Sequence, residues 1–202
     1  MKKIINSVKA NFNAIQNGID LSLGGTISQI KANMASVYSG YLDEKLNSLI
    51  IDVLNNQIEE EELNAFIENL YGLEKDLLYV VIKKSLDSKD KIVIFILANV
   101  LAKKIKNNEL NYYEESLVSN IDTLTEFDFK NYINIIDNLT QEDEGFNLKS
   151  KTDEDEISML KFINIGIIKE NRENLIIANR DINLLKTSYS DEFYDILKNF
   201  YK

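Results

Sequence analysis

Chemistry in this chain falls to carboxylates, lysines and hydroxyls, because its 202 residues include no His and no Cys. Without imidazole or thiolate there is no Ser-His-Asp triad, no zinc-activated water of the usual kind, no iron–sulfur cluster and no disulfide framework. What remains is carboxylate chemistry with Mg²⁺, or a lysine base. Asp43-Glu44-Lys45, and Glu68 and Glu74 with Lys75 and Asp76, have the residue types of nuclease-like groups. In a chain that is 28% charged, such triplets arise by chance. Asp153-Glu154-Asp155-Glu156 has the charge to hold a divalent ion but lacks the glycine and terminal glutamate that a calcium loop sets at fixed offsets. The run suits a helix start, where the dipole favours negative charge. Gly24-Gly25 before Thr26 lacks the further glycines and the Lys-Ser/Thr pair of a phosphate loop, and reads as a tight turn. We therefore assign no catalytic, cofactor-binding or metal residue, and expect a non-enzymatic protein with no cofactor.

The elements that would position a site are mostly helical. Apolar residues make up 45%, an ordinary share for a globular chain, and the formal charge is −10 with a pI near 4.7. There is no proline to kink or stop a helix. Ile4, Ile5, Val8, Phe12 and Ile15 predict a helix over 2–16, and Asn17-Gly18 a stop after it. Thr26 is placed to cap a second, long helix. In it Ile27, Ile30, Met34, Val37 and Tyr41 alternate three and four apart, the spacing of a coiled-coil seam. Leu42, Leu46, Leu49 and Val53 continue an apolar stripe, with a small phase shift expected near Gly40. At 1.5 Å per residue the rod would reach roughly 45 Å.

Glu59 to Glu62 opens a third helix, Gly72 separates it from a fourth over 73–86, and 89–106 is apolar nearly all round from Ile92 to Ala102, which predicts the central buried helix. A short helix is expected over about 111–122. Thr125-Glu126-Phe127-Asp128 reads as a variant capping box before another, with Phe129, Tyr132, Ile133 and Ile136 inward. Residues 140–156 carry seven acids against two lysines and are read as a mobile acidic loop that ends where Asp153 starts a helix. Thereafter Gly166-Ile167-Ile168, Leu175-Ile176-Ile177 and the alternation of Ile182, Leu184 and Lys186 predict short strands, before Ser190 caps a last helix over 191–201. The expected fold class is mainly α: a multi-helix bundle with a long N-terminal helical hairpin and a small C-terminal winged-helix-like β-hairpin unit. Its boundaries would be 1–57 for the hairpin, 58–139 for a helical body, 140–152 for the loop and 153–202 for the terminal unit.

Three stretches carry a resemblance. They are Ile92-Val93-Ile94-Phe95-Ile96-Leu97-Ala98-Asn99-Val100-Leu101, then Ile121-Asp122-Thr123-Leu124-Thr125-Glu126-Phe127-Asp128, and Leu160-Lys161-Phe162-Ile163-Asn164-Ile165-Gly166-Ile167-Ile168 with Thr187 to Phe193. In order and pattern they resemble uncharacterised bacterial helical proteins of the abortive-infection alpha-like kind. The usual glycine after the late threonine is replaced here by Tyr189-Ser190-Asp191. The resemblance implies a link to phage–host conflict and supplies no catalytic residues.

Partners follow from charge. Lys2, Lys3, Lys9 and Lys31 against Asp20 make the segment through Leu42 about +3, which leaves about −13 for the remainder. Such a hairpin would pack its stripe on the chain's own body or on a second copy, or, less favoured, dock on an acidic partner or on a membrane surface as an effector. Four lysines over some forty residues are sparse for an anionic surface, where each contributes about 1 kcal/mol. DNA binding is not expected, since the helix before the hairpin begins with four acids and offers only Lys161. The tyrosines, Tyr38, Tyr41, Tyr71, Tyr79, Tyr112, Tyr113 and Tyr132, are read as half-buried core. The longest apolar runs fall far short of the ~20 residues of a membrane span, and Asn6, Lys9, Asn11 and Asn13 interrupt any leader, so a cytoplasmic bacterial or phage protein is expected. The function expected is an interaction or self-assembly protein, a homo-oligomer through Ile27, Ile30, Met34, Val37 and Tyr41, with no other partner indicated.

Overall fold

The computed structural model describes residues 28–137, 146–149, 153–170 and 181–202, with backbone alone for 28–39, 73, 146–149 and 181–183. The expected helix over 2–16, Ile27 and the run Leu175 to Ile177 lie outside the described residues. The chain is mainly helical with a small antiparallel sheet near its C-terminus, and it divides into two compact units between Glu109 and Leu110.

The first unit is built from α1 (Ser28–Asn55), α2 (Glu60–Glu68), α3 (Leu73–Asp87) and α4 (Lys91–Asn107). Its centre is α4, in which Ile92, Val93, Ile94, Ile96, Leu97, Ala98, Val100, Leu101 and Ala102 are all buried. A helix apolar on every side must be covered from several directions. Here α1, α2 and α3 all pack on it. For that reason the expected boundary after residue 57 is not where the packing divides. At about 1.5–3 kcal/mol per fully buried aliphatic side chain, this helix holds the unit together. It stops at Asn108 in a left-handed conformation (φ 60°), with Lys104 Nζ donating to the Asn108 carbonyl at 2.6 Å. Gly72 (φ 50°) separates α2 from α3, as its flexibility predicts.

The second unit holds α5 (Tyr112–Asn120), a single 3₁₀ turn (Ile121–Thr123), α6 (Glu126–Asp137), β1 (Phe146–Lys149), α7 (Asp153–Ile165), β2 (Ile168–Glu170), β3 (Asp181–Lys186) and α8 (Ser190–Phe200). The capping box at α6 forms as read: the Asp128 carboxylate accepts from the Thr125 N–H at 2.7 Å. The sheet order is β1-β3-β2, antiparallel throughout. Helix, hairpin and helix therefore follow one another from α7 to α8. Ile168 pairs with Lys186, so β2 and β3 are neighbours in the sheet. One expectation needs correction. Residues 146–149, expected within the acidic loop, form a strand instead, because Phe146 and Leu148 alternate at period two and fall opposite Leu184 and Ile182.

The core of this unit is aromatic. Tyr132, Phe162, Phe193 and Phe129 are fully buried, with ring centroids 4.9 Å apart for Tyr132 and Phe162 and 5.2 Å for Tyr132 and Phe193. Polar groups pin it. Tyr132 Oη donates to the Ser190 carbonyl at 2.8 Å, and the Ile167 carbonyl accepts from both Thr187 Oγ1 and Ser190 Oγ. Gly166 (φ 88°) ends α7 by donating to the Phe162 carbonyl, in a conformation that side chains rarely adopt. A Cβ there would meet the Tyr112 ring at 3.5 Å.

Candidate interaction surface

Residues seven apart on an α-helix turn by only about 20° relative to one another, so they follow one line along the rod. The expected seam lies on two such lines. One passes Ile27, Met34, Tyr41, Ser48 and Asn55; the other passes Ile30, Val37, Glu44 and Ile51. In the second half of α1 these lines are open to solvent. Tyr41 is 46% exposed and Ile51 41%, Glu44 and Asn55 are exposed, and Ser48 is half-buried.

The body is met by another line. Leu46, Leu49, Ile50 and Val53 are buried, each 4% exposed or less, where α1 packs on α4 and α3. At 100° per residue, this face lies roughly 140° around the helix from the seam. The phase shift expected to be small is therefore more than a third of a turn. Followed toward the N-terminus, the body-facing lines run through Asp43, Leu42, Ser39, Ser36, Ala35, Ala32, Gln29 and Ser28. The helix continues through Gly40 without a break. It thus carries two apolar faces in succession, on different sides of one rod.

Lys45 stands between them. Though only 8% exposed, it donates from Nζ to the Leu86 carbonyl at 2.7 Å and also to the Ser88 carbonyl. Leu86 lies in the last turn of α3, where carbonyls lack helical partners and the dipole is negative. The Tyr41 ring covers the ammonium, its centroid 4.3 Å from Nζ. Tyr41 is thus the one expected seam residue whose side chain is described, and it joins the outward lines to the anchor of α1. Nothing in the sequence separates this lysine from its neighbours; only the carbonyls of α3, some forty residues away, single it out.

Of the groups with the residue types for catalysis, Glu74 meets Lys104 Nζ at 3.4 Å. Asp43 and Glu44 accompany a lysine turned to the α3 carbonyls. The Asp153 to Glu156 run occupies the first turn of α7, as its charge predicts. Among the described residues, no group of three carboxylates is arranged to hold a metal ion. A part-buried ion pair does form where the sequence pattern predicts only a cap: Asp128, 2% exposed, meets Nζ of the half-buried Lys161 at 2.7 Å. Burial pushes the Asp128 carboxyl up, but Lys161 and the Thr125 N–H and hydroxyl outweigh it and hold the group below the usual aspartate range. Asp52 goes the other way, raised by burial. Of the tyrosines expected as half-buried core, Tyr41, Tyr71 and Tyr112 are exposed; Tyr71 lies in the turn between α2 and α3, and Tyr112 opens α5.

No helix among the described residues is long and apolar enough to cross a membrane. The chain matches no family model, no curated protein and no solved structure.

Proposed function

We propose that this is a non-enzymatic protein-interaction protein that assembles with copies of itself through the lines of Ile27, Ile30, Met34, Val37 and Tyr41. The supporting observation is the change of face along α1. The helices that cover Leu46, Leu49 and Val53 lie on a side of the rod roughly 140° from the seam, so they do not account for it. Apolar residues at coiled-coil spacing, continued by exposed Tyr41 and Ile51, are what a partner helix requires. A role in phage–host conflict rests on the resemblance alone.

Light scattering on the purified chain tests this, alongside a variant carrying Ile30→Ser, Met34→Ser and Val37→Ser. The wild type is expected as a dimer or larger species. The variant is expected as a monomer that keeps its helical circular dichroism, because the buried face of α1 is untouched. A wild type that is monomeric at all concentrations overturns the reading.

A further inference from the structure

We draw no further inference here: the strongest candidate, the exposed apolar pair Ile157 and Leu160 on α7 of the second unit, carries nothing because nothing in the structure shows what covers it.

Discussion

The two units of the chain hold themselves together by different means. In the first, aliphatic side chains surround α4, and the contacts follow from helices laid face to face. In the second, a smaller aromatic cluster is pinned by hydroxyls and carbonyls from distant points of the chain: Tyr132 to Ser190, Thr187 and Ser190 to Ile167, and Ser116 Oγ to the Ile165 carbonyl at 2.8 Å. A helix packed on helices tolerates small slips, since dispersion contacts have little directionality. Short strands and an aromatic cluster do not, because each hydrogen bond fixes one position. Among the described residues of the first unit, Lys45 is such a buried polar pin. It ties α1 to the end of α3, so that unit too uses a directional contact where two helices meet.

The contrast is sharpest in core truncation. Phe193→Ala removes a ring that touches Phe129, Tyr132, Phe162 and Tyr189, and should destabilise the second unit by about 3–5 kcal/mol. Peptide-resolved hydrogen exchange should show protection lost over α6, α7 and α8 together. Protection lost from a single helix would show that the cluster does not act as one core.

The anchor of the first unit should respond less. Lys45→Met keeps the stem but leaves the Leu86 and Ser88 carbonyls without the ammonium, at an expected cost of about 1–3 kcal/mol. Exchange should rise first over the end of α3 and the adjoining turn of α1. A variant as stable as the parent in chemical denaturation would make the pin incidental.

The smallest effect is on pH dependence, where the two units should differ in sign. Asp128 is held below the ordinary aspartate value of 3.8, so its contribution is present above that value and is lost as the pH falls through its folded-state pKa. Asp52 is raised by burial, so folding disfavours its charged form and acidification relieves that cost. As the pH falls below about 4, exchange protection, referred to the intrinsic amide rate at each pH, should therefore drop in the second unit and be unchanged or higher around Asp52. An Asp128→Asn variant that keeps the same acid sensitivity in the second unit would remove Asp128 as its source.

Much of this fold was legible in local pattern. The start of α6 was readable because Thr125 and Asp128 answer each other across one turn. The buried α4 was readable because eleven residues from Ile92 leave no polar face. Strand β1 was hidden by its setting, since four residues within an acidic stretch become a strand only when β3 lies beside them. The Asp128–Lys161 pair was invisible for the same reason: the two residues are 33 apart, and nothing in either neighbourhood names the other.

The candidate surface shows where local and long-range information part. Periodicity alone marks two apolar lines on α1, since every residue adds the same rotation whatever surrounds it. That places Ile30, Met34, Val37 and Tyr41 on a common side of the rod, and Leu46, Leu49 and Val53 on another. Which line meets the body was decided by where α3 and α4 pack, and by the Leu86 and Ser88 carbonyls that hold Lys45. Helical rotation is a property of each residue with its near neighbours, whereas burial depends on chain returning from far along the sequence, which only the tertiary structure supplies.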